Sequence, residues 1–249
     1  MRDARQGEAG WYAISIGIGA SERFDRCSQM TVINNHHKFI FVHIPKSAGT
    51  TVTQVLSQYT TWRDLELGGT GFGENIARPY SRRFGLGKHA RLARLQSILG
   101  AECASYVTFA FVRNPYDRAY SIYKFLKRWR AWPNSDVMDD FSTFEQFAVS
   151  DLFQASPGPD NMFRPQAFWI SAADGFPNIS FVGRVEQVEE DLKRILGACG
   201  IGADIKDLSR VNASSQKDEW KFQYNGPQAD AVRHRFARDF DMFGYSEHC

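Results

Sequence analysis

The sequence predicts an α/β protein in which helices flank a central, mainly parallel sheet. Three continuous apolar runs predict strands buried on both faces: KFIFVHI at 38–44, YVTFAFV at 106–112 and FPNISFVG at 176–183. Each run leads into a short loop and then into a segment whose apolar residues have helical spacing. Repeated strand–loop–helix units favour a parallel sheet, and ligands of such sheets bind at the carboxyl ends of the strands.

Helices are predicted directly after the three strands. The first begins at about Thr50, where a glycine-containing loop ends. The second carries Tyr116, Tyr120 and Tyr123 on one face at helical spacing. The third ends near Gly200, because glycine is typical of the position that follows a helix.

The remaining segments are less regular. Residues 89–100 are amphipathic, and residues 230–245 predict a C-terminal helix that ends in an aromatic cluster. Ser142 and Glu145 have the spacing of a capping box, which predicts a helix start at that point. Residues 60–88, rich in Gly and Arg, are the least regular part and are interpreted as an insertion that faces a substrate.

The bulk composition argues against several classes of protein. The 249 residues carry a formal net charge of +2, which is too balanced to indicate nucleic-acid binding, so an anion site has to come from local arrangement. The cysteines are too far apart for a zinc motif or a dense disulfide framework, and free thiols fit a reducing, cytoplasmic location. They are Cys27, Cys103, Cys199 and Cys249.

The compact pattern predicts one domain over residues 30–249, with residues 1–29 as a peripheral N-terminal segment. The apolar stretch WYAISIGIGA at 11–20 is shorter than the roughly 18–20 residues that a membrane helix needs. No integral membrane segment is therefore predicted.

Residues 45–51, PKSAGTT, make up a first loop with the chemistry of an anion site. A loop between a strand and a helix presents free backbone N–H groups, while Lys46 adds a positive charge and Ser47 and two threonines add hydroxyl groups. The ATP-binding P-loop reads GxxxxGK[ST], whereas this lysine precedes Gly49 by three residues. The first loop therefore predicts a site for a tetrahedral anion without an evident magnesium partner. The alternative is an N-capped helix after a turn.

Residues 113–118, RNPYDR, make up a second loop that leaves the next predicted strand. The fork of Arg113 is suited to hold a phosphate, and the hydroxyl of Ser121 on the following helix can complete the site. The alternative is that Arg113 pairs with Asp117 across the turn while Arg118 lies in solvent. Two anion loops on neighbouring strand ends predict a nucleotide with phosphates at both its 5′ and 3′ ends.

Both loops resemble motifs of one family, the sulfotransferases that use 3′-phosphoadenosine 5′-phosphosulfate (PAPS), specifically the carbohydrate branch with Golgi and bacterial members. The segments that carry the resemblance are FVHIPKSAGTTV at 41–52 and FAFVRNPYDRAYSIY at 109–123. Similar pieces, GKHARLARL, FVGRVEQVEEDL, VNASSQ and DFDMFGYS, follow in the family's order, so the resemblance runs from about Lys38 to Ser246. It implies a single P-loop-NTPase-like domain.

The resemblance also implies which residues bind PAPS. Arg113 and Ser121 are expected to hold the 3′-phosphate, and Asn212 and Ser214 lie in a loop expected to close near the nucleotide. The residues expected to hold the 5′-phosphosulfate are Pro45, Lys46, Ser47, Ala48, Gly49, Thr50 and Thr51.

Two residues are the candidates for catalysis of sulfuryl transfer. Lys46 and the loop amides are suited to receive charge on the oxygen that links sulfur to phosphate. His89 is the candidate general base, because imidazole titrates near neutral pH and the family has a histidine in a matching segment. The alternative for His89 is a surface residue at a helix start, and His43 is expected to pack. The leaving phosphate is already acidic, so no metal is expected.

The expected acceptor is a carbohydrate or glycan, including anionic polysaccharides. Two basic stretches are candidates for attracting it, and solvated faces are the alternative. Three tryptophans are candidates for stacking on sugar rings, and core packing is the alternative. These residues are Arg82, Arg83, Lys88, Arg91 and Arg94, then Lys127, Arg128 and Arg130, with Trp129, Trp132 and Trp169.

Two other functions fit the sequence less well. A P-loop nucleotide kinase needs ATP and magnesium, and the displaced lysine argues against it. A catalytically silent protein that binds a glycan or nucleotide on the same fold is the second alternative. The expected location is the cytoplasm for a bacterial-type enzyme, or the Golgi lumen if the chain lacks its anchor.

Overall fold

The computed structural model describes residues 31–68, 70–172, 175, 177–202 and 219–248. Within these ranges one sheet has the strand order β3-β1-β2-β4-β5. Its strands are β1 (Thr31–Asn34), β2 (Phe39–Phe41), β3 (Leu65–Leu67), β4 (Val107–Val112) and β5 (Phe181–Arg184). The three predicted strands correspond to β2, β4 and β5, and the predicted α/β class is confirmed.

The sheet is mixed, which corrects the prediction of a mainly parallel sheet. The pairings β2–β4 and β4–β5 are parallel, whereas β1 pairs antiparallel with both β2 and β3. The chain between β1 and β2 is a short turn at 35–38, in which Lys38 has a φ of 53°. Such a short connection permits only antiparallel pairing, because a parallel pair needs a long crossover.

Helices follow β2, β4 and β5 as predicted. The α-helices of the described residues are α1 (Gly49–Leu56), α2 (Gly71–Phe84), α3 (Leu92–Leu99), α4 (Pro115–Leu126), α5 (Phe144–Ala148), α6 (Asp151–Ala155), α7 (Ala167–Ile170), α8 (Val188–Ala198), α9 (Gln228–Arg235) and α10 (Ala237–Phe243). None of them combines the length and apolarity that a membrane span requires.

Several local predictions need correction. The supposedly irregular residues 60–88 contain β3 and the 14-residue helix α2, which begins where the Thr70 hydroxyl accepts from the Gly73 N–H and ends at the left-handed Gly85. The capping box is one residue later than predicted, at Thr143 and Gln146. The predicted single C-terminal helix is two helices, α9 and α10, that meet at Phe236.

Apolar side chains cover both faces of the parallel strands, as the continuous apolar runs predicted. On one face Ile40 and Val112 pack in a buried cluster with residues of α3 and α7. On the other face Phe41 and Phe109 pack with residues of α1 and α8. The alternation follows from the two-residue period of a strand. A third cluster, around α4, α5 and α9, lies beside the second loop.

Candidate functional site

The first loop has a strained backbone at the carboxyl end of β2. Lys46 and Ala48 adopt left-handed conformations, with φ values of 67° and 56°, although neither is glycine. Such residues are uncommon and cost energy, and they occur where the surroundings over-determine them. A backbone that alternates in this way can turn successive N–H groups toward a common anion, next to the N-terminus of α1.

Arg118 holds the first loop from outside. Its guanidinium is fully buried, and Nε donates to the carbonyl of Pro45 at 3.0 Å. Its two terminal nitrogens donate to the carbonyls of Arg164 and Met162 at 3.1 and 2.9 Å. Burial lowers the pKa of Arg118 to about 10, which still leaves it cationic at neutral pH. Under the alternative reading of the second loop Arg118 lay in solvent, and that placement is wrong.

Gln166 joins the two loops. Its Oε1 accepts from the Ser47 hydroxyl at 3.0 Å and from the Arg113 N–H at 2.8 Å, and its Nε2 donates to the Arg113 carbonyl at 2.8 Å. Both Ser47 and Gln166 are buried. Ser47, expected in the phosphosulfate cradle, therefore directs its hydroxyl to Gln166 in this structure.

Asp239 fixes Gln166 in turn. Its buried carboxylate accepts from the backbone N–H of Gln166 at 2.7 Å and of Ala167 at 2.9 Å. Burial raises the pKa of Asp239, and the nearby Arg118 guanidinium opposes that shift. The buried carboxylate of Asp239 and the buried guanidinium of Arg118 thus flank the point where Gln166 joins the two loops.

The second loop contains the ion pair that was the alternative to phosphate binding. Arg113 donates to Asp117 from Nε at 2.6 Å and from a terminal nitrogen at 2.8 Å. Another terminal nitrogen of Arg113 reaches the Lys46 carbonyl at 3.4 Å. An arginine has five N–H groups, so this pairing orients the fork and leaves part of its donor capacity for an anion.

The start of α4 is capped by its own sequence. The side chain of Asn114 accepts from the Tyr116 N–H at 2.9 Å, and Pro115 occupies the first turn. The N–H of Asn114 donates to Glu186 at 2.7 Å, which ties the second loop to the segment after β5.

Ser121 lies on the side of α4 that faces the first loop. Arg118 and Phe125, which contact that loop, lie three residues before it and four residues after it on the same helix face. The former bonds to Pro45, and the ring of the latter lies 4.3 Å from Lys46 Nζ. Helical geometry therefore brings Ser121 to the same side as Lys46.

His89 and His43 form a stacked pair beside the first loop. Their ring centroids are 4.7 Å apart, and Nδ1 of His89 lies 3.2 Å from the carbonyl oxygen of His43. A carbonyl only accepts, so Nδ1 carries the hydrogen and Nε2 carries the lone pair. Desolvation lowers the pKa of His89 to about 4 and that of His43 well below its usual range. Both rings are therefore neutral at pH 7.

Gly49 is required by packing. A Cβ added at Gly49 would lie 1.7 Å from Nε2 of His43, whose ring is buried beneath the start of α1. This contact agrees with the packing role expected for His43. It gives the glycine a structural reason that is independent of any ligand.

The other predicted donor-binding residues are placed as follows. Pro45 and Thr51 are buried, Lys46 and Ala48 are half-buried, and Thr50 is exposed. Asn212 and Ser214 lie outside the described residues. In the part of the chain that the structure describes, no group of three or more histidine, cysteine, aspartate or glutamate side chains has the arrangement of a metal site.

Many of the predicted acceptor-attracting charges have contacts within the protein. Lys88 pairs with Glu74 at 2.5 Å, and Arg130 pairs with Asp139 at 2.8 Å. Four further side chains donate to backbone carbonyls, namely Arg91, Arg94, Lys127 and Arg128. Arg82, Arg83 and Arg128 are exposed. Most of the two basic stretches therefore supports local structure.

The tryptophans divide between core and periphery. Trp169 is buried in the core, and its ring centroid lies 5.5 Å from that of His89. Trp129 and Trp132 are partly buried against the third apolar cluster. Core packing is thus the observed role of Trp169.

Sequence reasoning missed Gln166, Arg118 and Asp239 as residues of the site. One signal was present for Asp239, because it falls on the same helical face as Phe236 and Phe243 and an acid on an apolar face needs a buried partner. Arg118 likewise adjoins the apolar face of α4. Gln166 gives no signal of that kind, since its partners are distant in sequence.

One comparison with known proteins gives a match. A family model described as "Sulfotransferase family" matches residues 29–246, which include both loops and His89. No curated protein and no solved structure gives a significant match to the chain.

Proposed function

We propose that this chain, which belongs to the sulfotransferase family, transfers the sulfuryl group of PAPS to a hydroxyl of a carbohydrate or glycan acceptor. The observation that carries the proposal is the joining of two anion loops by Gln166 at the carboxyl ends of the parallel strands β2 and β4. Ligands of such sheets bind at that edge. A donor with phosphates at its 5′ and 3′ ends has the charges to engage both loops.

The residues present fit the donor's charges. The backbone around Lys46 and Ala48 supports binding of the 5′-phosphosulfate, together with Thr50 and the helix N-terminus. Arg113 and Ser121 are assigned to the 3′-phosphate. The remaining assignments are Pro45, Ser47, Gly49 and Thr51 in the first loop, and Asn212 and Ser214 as a loop that closes on the nucleotide.

Two side chains are assigned to the chemical step. Lys46 stabilises the charge that develops on the oxygen bridging sulfur and the leaving phosphate. His89 accepts the proton of the acceptor hydroxyl at Nε2, since its Nδ1 already donates to the His43 carbonyl. General-base assistance of this kind typically contributes ~10²–10⁴-fold to the rate.

The proposal includes the wider organisation of the chain. Residues 30–249 form the sulfotransferase domain, with a P-loop-NTPase-like arrangement of β2, β4 and their loops, and residues 1–29 are peripheral. The acceptor class includes anionic polysaccharides, for which Arg82 and Arg83 supply exposed charge. A cytoplasmic, bacterial-type enzyme is proposed, with the Golgi lumen as the alternative compartment.

Transfer of ³⁵S from labelled PAPS to a panel of polysaccharides tests the activity. Lys46→Ala is expected to abolish transfer, and His89→Ala is expected to slow it at least a hundredfold while nucleotide binding stays near normal. Lys193→Ala, which removes an exposed lysine on α8, serves as the matched control. Unchanged turnover in His89→Ala would remove this residue from the role of base.

A thermal-shift measurement separates the proposal from a nucleotide kinase. Adenosine 3′,5′-bisphosphate without magnesium is expected to raise the melting temperature, and ATP with magnesium is expected to do little. A larger shift with ATP and magnesium would overturn the assignment of the donor. Binding of the bisphosphate without transfer to any acceptor would favour the silent binding protein.

A further inference from the structure

The side chain of Gln166 bonds to both anion loops, and it adds to the direct contacts that Arg113 and Arg118 make with the first loop. Its oxygen receives the Ser47 hydroxyl and the Arg113 N–H, and its nitrogen faces the Arg113 carbonyl. All three distances are between 2.8 and 3.0 Å, and the side chain is fully buried. Such geometry defines the separation between Ser47 and Arg113.

Only an amide satisfies these three partners at once. A carboxylate at position 166 would turn an oxygen toward the Arg113 carbonyl, which also only accepts. A methionine of similar length would make none of the three bonds. Asp239 of α10 holds the backbone of Gln166 just before α7, so the amide has a support that neither loop supplies.

We propose that Gln166 is a positioning residue that sets the spacing of the two loops, so that they bind a two-anion ligand as a single chelating site. This inference rests on the proposed function, in which that ligand is a nucleotide with 5′ and 3′ phosphates. When the two loops are held at the right separation, binding of one phosphate places the other at a high effective concentration beside its loop. Binding of that second phosphate then orders little further structure. When the spacing is loose, each phosphate binds almost independently.

The test compares three ligands on three proteins by isothermal titration calorimetry. The ligands are adenosine 5′-monophosphate, adenosine 3′-monophosphate and adenosine 3′,5′-bisphosphate. The proteins are the wild type, Gln166→Met and the control Gln228→Met. Gln228 is equally buried, but its amide bonds to Gln223 and Asn225 near α9.

The measured quantity is the factor by which the added 3′-phosphate tightens the binding of adenosine 5′-monophosphate. In Gln166→Met this factor is expected to fall at least tenfold, while the affinity for either monophosphate changes less than threefold. Gln228→Met is expected to keep the wild-type factor. An unchanged factor in Gln166→Met, or an equal weakening of all three ligands, would overturn the inference.

A second variant covers the case in which Gln166→Met does not fold. Gln166→Glu keeps two acceptor contacts but turns an oxygen toward the Arg113 carbonyl, so its factor is also expected to fall below that of the wild type. A wild-type factor in a folded Gln166→Glu would also overturn the inference. If the wild type itself gains nothing from the 3′-phosphate, the proposed donor is wrong and the result does not depend on Gln166.

Discussion

The first and second loops leave neighbouring parallel strands, and they are held in place by different means. The second loop has local supports, because Asn114 caps α4, Pro115 starts it and Asp117 orients Arg113, and these add to its bonds with the distant Gln166 and Glu186. The first loop depends on distant groups, because Arg118 holds the Pro45 carbonyl and Gln166 holds the Ser47 hydroxyl. Lys46 and Ala48 of the first loop adopt left-handed backbone conformations, which residues other than glycine do not favour by themselves.

The difference teaches which parts of the site are local and which are imposed by tertiary structure. When one support of a locally supported loop is removed, the protein loses only the stabilisation free energy of that cap or ion pair. When the conformation of a loop is imposed by distant buried groups, removing one of those groups also removes the conformation. The two loops should therefore respond to substitution by very different amounts.

Arg118→Met is expected to have the largest effect, because it removes the main external support of the first loop. It leaves the carbonyls of Pro45, Met162 and Arg164 without their donor and the Asp239 carboxylate without the nearby cation. Breaking a buried charged contact from one side costs about 3–5 kcal/mol in the free energy of unfolding. Urea unfolding measures it, and a loss below about 1 kcal/mol would contradict the tertiary origin of this loop.

Gly49→Ala is expected to cost about 1–3 kcal/mol, the usual range for overpacking. The new Cβ would force the buried His43 ring out of its position beneath α1. Gly71→Ala at the start of α2 is the matched control, because a Cβ there meets nothing within 4 Å. The double variant Gly49→Ala, His43→Ala should recover part of the stability lost by Gly49→Ala. No recovery in the double variant would argue against the contact as the cause.

The stability of the neighbourhood of the first loop should depend on pH. The pKa of His89 is about 4 in the folded chain and about 6.5 when unfolded, so between these values the unfolded chain binds more protons. The free energy of unfolding should rise with pH in that window, by up to ~1.4 kcal/mol per pH unit for this group. This contribution to stability is lost as pH falls toward 4. The slope should be smaller in His89→Asn, and equal slopes in both proteins would disprove the assignment.

Asn114→Ala is expected to have the smallest effect, because it removes one local support of the second loop. Loss of an N-cap typically costs ~1 kcal/mol, measured as the free energy of unfolding. The affinity for adenosine 3′,5′-bisphosphate should change less than threefold, because Gln166 still holds the Arg113 backbone. A loss of about 3 kcal/mol or more would contradict the small contribution expected of one local support.

The distinction between local and tertiary support also decides which parts of the structure could be predicted from the sequence. The strands β2, β4 and β5 and the helices after them follow from apolar runs and helical spacing, which are local signals. The antiparallel β1 was missed, because its four residues are too short a run to identify a strand from pattern alone. Helix α2 was missed because Gly71, Gly73 and Pro79 lower its helical propensity, while its Thr70 cap and tertiary packing override them.

The candidate site was predictable only in part. Lys46, Arg113 and His89 were identified from motifs, and the structure places them near one another at one edge of the sheet. The Arg113–Asp117 pair was stated as an alternative, and it is present. The roles of Gln166 and Asp239 could not be derived, because a hydrogen bond between residues far apart in the chain leaves no periodic pattern.

The long separations in this site also determine when it can form as the chain is made. The bond between Ser47 and Gln166 spans 119 positions, and the bond between Gln166 and Asp239 spans a further 73. Contacts of such separation form only after long stretches of chain have been brought together. The local supports of the second loop can form as soon as α4 has emerged from the ribosome. The distant supports of the first loop form only after Gln166 and Asp239 have been synthesised, so we expect this loop to take its final shape later than the second.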